Sequence, residues 1–239
     1  MLKAIFFDLD GTLLPMDENE FAKGYFGLLS NKMEKYGYDK NQLIKVILAG
    51  TEAMYKNDGN KTNEEVFWDY FKGIYGKEKL LDMSYFEEFY RNEFKKTKVF
   101  CKDNPLAREI VEYAKSKVEY VVLSTNPIFP YIATLERMSF VGLKEDDFDF
   151  ITSYENSNYT KPNPKYFHML LNKFNLEPEE VIIFGNNDVE DYLCGKYANI
   201  DCYLVGNSLI LHEDKNIECK KINLEDIKKI IDFEIEKRK

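Results

Sequence analysis

A chain of 239 residues, of which 44% are hydrophobic and 15% aromatic, is long and apolar enough to bury a substantial core, which excludes general disorder. The formal net charge of −9, with lysines interleaved among acids, disfavours binding to nucleic acid or to an anionic membrane. Four cysteines without a C-x-x-C pair and only two histidines argue against a disulfide framework, a zinc site and a Ser-His-Asp triad.

The apolar stretch before Asp8 is too short for a signal peptide, and no run of the sequence approaches the length of a membrane span. We therefore expect a cytoplasmic protein with free thiols that contacts neither membrane nor nucleic acid. A monomer or a weak homodimer is the expected oligomeric state.

The first predicted strand, Ala4–Leu9, ends at two carboxylates that stand one residue apart, Asp8 and Asp10. Side chains at positions i and i+2 of a strand point the same way, so both carboxylates share one space if the strand persists. At about 5 Å and an effective dielectric near 20 they repel by roughly 3 kcal/mol. A bound cation or a nearby lysine would offset this cost. The pair Asp10-Gly11 is also common in simple turns, so the stretch by itself is not decisive.

About a hundred residues separate this strand from the next predicted one, Glu119–Leu123, far more than one crossover helix needs. Helical patterns recur within them, and the segments Thr62–Glu65 and Ser84–Glu87 both have the sequence of a capping box. We therefore predict an inserted all-helical cap domain from residue 17 to residue 98. Residues 1–16 and 99–239 would form the core domain.

Three further apolar runs have the composition of buried parallel strands: Phe148–Thr152, Val181–Phe184 and Cys202–Val205. Helical segments separate most of the strands, beginning after Asn104-Pro105, after Pro164 and after Asn187-Asp188, and an amphipathic helix closes the chain. Strands that alternate with helices predict the α/β class, here a doubly wound parallel sheet with helices on both faces.

Polar residues follow four of the predicted strands, and ligands of open parallel sheets bind at the carboxyl ends of the strands. After the aspartates of the first strand come Ser124-Thr125-Asn126, then Thr160-Lys161-Pro162, and then Gly185-Asn186-Asn187-Asp188 with Asp191 on the following turn. Each feature alone has a structural explanation, such as a helix cap or a solvated loop lysine. Four of them after successive strands favour one site for chemistry.

These four segments resemble the motifs of the haloacid dehalogenase-like superfamily of phosphotransferases, in the branch with a helical cap inserted after the first strand. DLDGTL matches the superfamily's D-x-D-G-T-L signature in full, and VVLSTN is similar to its second motif, an apolar strand that ends in Ser or Thr. KPNPKYF resembles the Lys-Pro-x-Pro third motif, and GNNDVED stands where the acidic fourth motif belongs. The resemblance spans essentially the whole core, whereas the inserted segment agrees only in being helical. It implies a Rossmann-like core.

The resemblance implies a Mg²⁺-dependent phosphatase that hydrolyses a small-molecule phosphate monoester through an aspartyl-phosphate intermediate. Asp8 would be the nucleophile, and Asp10 the general acid for the leaving alkoxide and then the base for water. Thr125 and Asn126 would bind the phosphoryl group together with Lys161, which neutralises developing charge. A single Mg²⁺ would be held by oxygen ligands that include Asp8 and the carbonyl of Asp10.

The fourth motif departs from the superfamily pattern, because Gly185-Asn186 stands where Gly-Asp is usual. The amide oxygen of Asn186 can still bind Mg²⁺ but brings no charge. Alternatively, Asn187 or Asp188 takes the ligand position through a shifted turn, with Asp191 as the outer acid. The metal candidates beyond the first motif are therefore Asn186, Asp188 and Asp191, with Asn187 as a further alternative.

Four other interpretations compete with a phosphatase. A phosphomutase of the same superfamily would use the same aspartates, and a non-catalytic binding protein would retain only the fold, as the Asn186 departure allows. A signalling receiver domain needs a phospho-accepting aspartate after a middle strand, where this chain has Ser124-Thr125. A haloacid dehalogenase has no use for Asp10 or a metal. We expect the phosphatase.

Overall fold

The computed structural model describes residues 1–206, 208–212 and 217–239. Its strands are β1 Ala4–Phe7, β2 Tyr120–Leu123, β3 Phe150–Ile151, β4 Val181–Gly185, β5 Asp201–Val205 and β6 Lys220–Ile222. In the described residues they form one six-stranded sheet in the order β3-β2-β1-β4-β5-β6, and each neighbouring pair is parallel. Strands β1, β2 and β3 follow one another towards one edge of the sheet, and β4, β5 and β6 follow one another towards the other edge. The strand order therefore reverses between β1 and β4.

The helices are α1 Glu18–Glu34, α2 Lys40–Tyr55, α3 Asn63–Tyr75, α4 Met83–Asn92, α5 Ala107–Lys115, α6 Tyr131–Ser139, α7 Lys165–Phe174, α8 Cys194–Tyr197 and α9 Ile227–Lys237. A π-helical turn, Asp188–Leu193, leads directly into α8. Residues of α5 and α9 share one apolar cluster with Ile5 and Phe7 of β1, whereas residues of α7 and α8 share the other with Ala4 and Phe6. Alternate β1 side chains thus enter opposite helical layers, and the predicted doubly wound α/β architecture is confirmed.

The sixth strand was not predicted from the sequence. Lys220 and Lys221 of β6 are exposed and Ile222 is half-buried, because β6 lies at the edge of the sheet. The prediction searched for buried apolar runs, and a charged edge strand lacks that pattern. The first strand is also shorter than predicted and ends at Phe7, although the Asp8 backbone N–H still donates to the carbonyl of Phe184 on β4 at 2.8 Å.

The first part of the segment between β1 and β2, up to residue 100, is helical, as the sequence predicted, and contains α1 to α4 with the 3₁₀ segments Lys77–Asp82 and Phe94–Phe100; α5 follows it before β2. Its two ends meet, because Met16 forms an antiparallel bridge with Cys101 and the Lys102 N–H donates to the carbonyl of Pro15 at 2.8 Å. The chain therefore leaves the sheet and returns to it at one place.

One of the two predicted capping boxes is present. The Thr62 hydroxyl accepts from the Glu65 N–H at 3.2 Å, and the Glu65 carboxylate accepts from the Thr62 N–H at 2.9 Å. The box at Ser84–Glu87 was wrong, because the preceding 3₁₀ segment runs directly into α4 and leaves Ser84 inside the helix. The Ser84 hydroxyl instead donates to the carbonyl of Leu81.

Among the described residues, no helix has the length and apolar character that crossing a membrane requires.

Candidate active site

The candidate site lies where the strand order reverses, at the carboxyl ends of β1, β2 and β4. These strands end at one level, since Phe7 is paired with Leu123 on one side and with Phe184 on the other. The residues that follow line one cavity of about 520 Å³, and the sequence-predicted members of that lining are Asp8, Asp10, Thr125, Asn126, Asn186, Asn187 and Asp191. Residues of α1 to α4 form its opposite wall.

Lys161 is the buried cation of the cluster and connects two carboxylates. Its Nζ donates to Asp8 Oδ1 at 2.9 Å and to Asp191 Oδ1 at 2.5 Å, and its side chain is 1% exposed. Burial alone would lower the pKa of Lys161, but the carboxylates of Asp191 and Asp8 raise it well above its usual range. The ammonium therefore stays charged and offsets part of the repulsion between the acids.

Asp8 is buried, with both carboxylate oxygens in hydrogen bonds. Its Oδ2 accepts from the Thr12 hydroxyl at 3.0 Å, while Oδ1 accepts from Lys161. Burial raises the pKa of Asp8 to about 8, and the neighbouring carboxylates of Asp191 and Asp10 add to this rise against the opposing charge of Lys161. Additional positive charge would therefore stabilise the ionised form of Asp8.

Asp10 lies near Asp8 but has a different cationic partner. Its Oδ2 accepts from Arg137 Nη1 at 2.7 Å, whereas its buried Oδ1 has no partner among the described residues. Burial raises the pKa of Asp10, and the charges of Arg137 and Lys161, together with the nearby Thr125 hydroxyl, oppose that rise. One oxygen is thus positioned by the protein, and the other is left for a proton or a ligand.

Arg137 is a charged residue of this cluster that the sequence analysis did not predict. It lies on α6, its side chain is 2% exposed, and its guanidinium stacks on the ring of Phe129 with 4.4 Å between the guanidinium carbon and the ring centroid. Its Nη2 donates to the Thr134 hydroxyl at 3.3 Å. The sequence did contain a signal for Arg137. The buried face of α6 is formed by Ala133, Thr134, Arg137 and Met138, and a charged residue on a buried helix face needs a partner of opposite charge.

Asn186 packs against the first motif. A Cβ on Gly11 would lie 2.0 Å from Asn186 Nδ2, and Gly11 has a φ of +80°, so only glycine fits there. The Asn186 Nδ2 donates to the carbonyl of Ser208 at 2.8 Å. Asp191 Oδ2 accepts from the backbone N–H groups of Asn186 and Asn187 at 3.0 Å each, so Asp191 stabilises this loop while its other oxygen binds Lys161.

The other two candidates of the fourth motif direct their oxygens elsewhere. Asp188 Oδ1 lies 2.6 Å from His212 Nδ1, and Oδ2 accepts from the His212 backbone N–H at 2.7 Å. Asn187 lines the cavity, but its Oδ1 accepts from the N–H groups of Val189 and Glu190 and caps the helical turn. The structure therefore brings Asn186, rather than Asn187 or Asp188, against the first motif.

Thr125 and Asn126 belong to a tightly positioned loop after β2. The Thr125 carbonyl accepts from the hydroxyls of Thr152 and Tyr166, at 2.7 and 2.9 Å. Asn126 Oδ1 accepts from the Lys161 N–H at 3.2 Å, and its Nδ2 donates to Glu190 at 2.9 Å and to Lys161 O at 3.3 Å. The Asn126 side chain thus ties the second, third and fourth motifs together.

The donor set fits a magnesium ion. Within the described ranges, no group of three or more His, Cys, Asp and Glu side chains is arranged to hold a metal. The oxygen donors of Asp8, Asp10 and Asn186 nevertheless suit Mg²⁺, which retains several waters and needs few protein ligands. The carboxylates of Asp8, Asp10 and Asp191 outnumber the two cations that contact them, Lys161 and Arg137, so a bound cation would stabilise their ionised forms.

Comparisons with known proteins agree on one family. A model for haloacid dehalogenase-like hydrolases matches residues 5–205. A glyceraldehyde 3-phosphate phosphatase of Methanothermobacter thermautotrophicus is 27% identical over 224 residues, which cover 91% of this chain and 92% of that protein. A phosphorylated carbohydrates phosphatase of Thermotoga maritima is 27% identical over 189 residues, with 78% and 77% covered. The crystal structure of YfnB from Bacillus subtilis, bound to magnesium, superposes with a TM-score of 0.60 at 18% identity and covers 97% of this chain and 99% of that one.

Proposed function

Because the chain belongs to the haloacid dehalogenase-like hydrolase family, we propose that it is a Mg²⁺-dependent phosphatase that hydrolyses small phosphate monoesters through an aspartyl-phosphate on Asp8. The observation that carries the proposal is the buried cluster in which Lys161 bridges Asp8 and Asp191, beside an Asp10 that Arg137 positions. Two similar proteins named as phosphatases support the reaction class.

In the first step the Asp8 carboxylate attacks phosphorus and the bond to the leaving oxygen breaks. Lys161 neutralises charge on the nucleophile and on the phosphoryl oxygens, and the Thr125 hydroxyl and N–H bind one of those oxygens. Asp10 supplies a proton to the leaving alkoxide from Oδ1, the oxygen for which no described residue is a partner. In the second step the same carboxylate takes a proton from the water that hydrolyses the aspartyl-phosphate.

Magnesium, when bound, would neutralise and orient the phosphoryl oxygens. Asp8, the Asp10 carbonyl and the Asn186 amide oxygen are its proposed ligands. Asp191 uses both oxygens within the protein, so its proposed role is to hold Lys161 and the fourth-motif loop in position. Asp188, with its carboxylate on His212, is left out of the ligand set.

The division into a core of residues 1–16 and 99–239 and a cap of residues 17–98 is part of this proposal. It is supported by the adjacent entry and exit at Met16 and Cys101 and by a cavity lined from both parts. A cap that covers the nucleophile would exclude bulk water from the aspartyl-phosphate and supply the contacts that distinguish one leaving group from another.

The direct test is turnover of para-nitrophenyl phosphate by the purified protein with Mg²⁺, compared with the protein in EDTA. We expect hydrolysis that EDTA abolishes and added Mg²⁺ restores. Release of inorganic phosphate from a panel of phosphorylated metabolites should accompany it. An isomerised sugar phosphate without phosphate release would indicate a phosphomutase, and no turnover of any ester would indicate a binding protein that retains the fold.

Substitution Asn186→Asp tests the proposed metal ligand. The added charge should tighten Mg²⁺ binding by about tenfold, since a unit charge gains roughly 1–2 kcal/mol beside a cation at the edge of a cavity. The new side chain cannot donate to the Ser208 carbonyl, so loss of that bond should cost about 1 kcal/mol of unfolding free energy in the metal-free protein. Thermal melting at increasing Mg²⁺ and the Mg²⁺ dependence of turnover measure both effects.

The matched control is Asn187→Asp, which adds the same charge one residue further on and preserves an oxygen that can cap the helical turn. It should leave Mg²⁺ affinity much closer to that of the wild type. Equal tightening in both variants, or none in Asn186→Asp, would remove Asn186 from the ligand set.

A further inference from the structure

The part of the cavity beyond Asp10 is lined mainly by aromatic rings. Most of them belong to the helices between β1 and β2, and the principal ones are Tyr25, Phe26, Phe67, Trp68, Phe86 and Tyr90. The leaving group of a phosphate monoester bound at Asp8 has to occupy this space, because the phosphoryl group itself is common to all such esters. Substrate preference must therefore follow from the chemistry of this wall.

The polar atoms of these aromatic side chains are paired with one another. The hydroxyls of Tyr25 and Tyr90 lie 2.8 Å apart, and Trp68 Nε1 donates to the Tyr154 hydroxyl at 3.4 Å. The Tyr25 ring also packs edge-on against Phe129, with ring centroids 5.3 Å apart. Groups already engaged in this way offer little to the several hydroxyls of a sugar, whereas their ring faces suit an apolar body.

The charges on this wall are predominantly negative. Three glutamates line it: Glu64, Glu87 and Glu155. Apart from Arg137, Arg91 is the only basic residue among the described residues that line the cavity. The Glu64 backbone N–H donates to the carbonyl of Tyr154 at 2.8 Å, which brings Glu64 beside Glu155. Burial raises the pKa of Glu64, and the charge of Glu155 adds to that rise. The charge of Arg137 is already balanced by Asp10 at 2.7 Å.

We propose, on the premise of the phosphatase function above, that the substrate is a phosphate monoester whose leaving alcohol has an apolar, ring-sized body and a cationic nitrogen. The aromatic faces attract a cation through their quadrupoles, and the carboxylate of Glu64 attracts it directly. Glu155 adds negative charge beside Glu64, although both of its oxygens accept from the Tyr131 backbone N–H, at 2.9 and 3.0 Å. The same carboxylates repel a leaving group that carries a carboxylate or a second phosphate. A cavity of about 520 Å³ accommodates such a molecule with its phosphoryl group.

The test is a series of three esters that share one aryl body and differ in charge: para-aminomethylphenyl, para-methylphenyl and para-carboxyphenyl phosphate. With the Mg²⁺-loaded protein, we expect kcat/KM to fall in that order, with at least about a tenfold difference between the cationic and the anionic ester. Equal values, or a preference for the anionic ester, would overturn the proposal while leaving the phosphatase function intact.

A matched pair of variants tests whether the preference for the cationic ester comes from the carboxylates that line this wall. Glu64→Gln should reduce the ratio between cationic and anionic esters by about threefold or more, because it removes one of the facing charges. Glu52→Gln, an exposed change on α2 at a residue paired with Lys56, should leave that ratio unchanged. A ratio that Glu64→Gln does not alter would also overturn the proposal.

A binding measurement tests the proposed substrate class independently of phosphate-ester hydrolysis. Calorimetry with para-methylbenzylammonium and with para-methylbenzoate, each added to the wild-type protein in the presence of phosphate, measures the preference of the wall without turnover. Tighter binding of the ammonium compound without hydrolysis of any ester would refute the phosphatase function alone. Failure of the ammonium compound to bind, or equal binding of both compounds, would refute the assignment of the substrate class.

Discussion

Substitution Asp8→Asn is expected to lower kcat for phosphate-ester hydrolysis by about 10⁴-fold or more, since removal of a covalent nucleophile has effects of this size or larger. The amide has nearly the shape of the carboxylate but neither its charge nor its ability to form an acyl phosphate. Phosphate release from alkyl and aryl esters measures the loss. Beryllofluoride, a mimic of the phosphoryl group, should raise the melting temperature of the wild type but not of the variant.

The Asp8→Asn protein should be at least as stable as the wild type. Burial raises the pKa of Asp8 to about 8, so the buried charge is costly to the folded state, and Lys161 keeps Asp191 as an ionic partner at 2.5 Å. Circular dichroism and thermal melting check this, with the exposed change Asp103→Asn as a control that should retain full activity. If Asp8→Asn retains more than about a tenth of wild-type turnover, a mechanism with Asp8 as nucleophile is untenable.

The second large effect is expected at Arg137, a positioning residue that acts through Asp10. Substitution Arg137→Met removes the guanidinium that fixes Asp10 Oδ2 at 2.7 Å, so the carboxylate no longer has one orientation towards the leaving oxygen. We expect kcat on alkyl phosphates to fall by about 100-fold, the lower end of what general acid catalysis contributes. The effect on KM should be small, because Lys161 and Thr125, rather than Arg137, are the proposed ligands of the substrate phosphate.

The dependence on the leaving group separates positioning from a purely structural role. para-Nitrophenolate leaves readily without protonation, so Arg137→Met should slow para-nitrophenyl phosphate much less than an alkyl phosphate. Arg137→Lys should recover part of the lost rate, because it restores the charge but not the planar guanidinium stacked on Phe129. Equal losses on both classes of ester, with no recovery in Arg137→Lys, would mean that Arg137 only supports the local structure.

Much of the sheet was predictable because a buried parallel strand has a local signature. β1 and β4 are short apolar runs bounded by polar residues, and their burial on both faces is what makes them recognisable. The edge strand β6 was missed because its lysines are exposed, and the capping box at Ser84 failed because the preceding 3₁₀ segment continues directly into α4. Local patterns thus predicted the buried elements better than the exposed ones.

By itself, the sequence determined which chemical groups follow the strands, because the order of the residues and the period of a strand place Asp8, Asp10 and Lys161 at the carboxyl edge of a parallel sheet. Only the tertiary structure decided which of these groups meet. Arg137 stands 127 positions after Asp10 and Lys161 stands 153 positions after Asp8, and no local pattern specifies such pairs. The pairing of Asp188 was decided in the same way, since His212 lies 24 positions after Asp188 and binds its carboxylate. The physical reason is that a buried charge is stabilised by whichever partner packing brings within hydrogen-bond distance, and that partner is set by the fold as a whole.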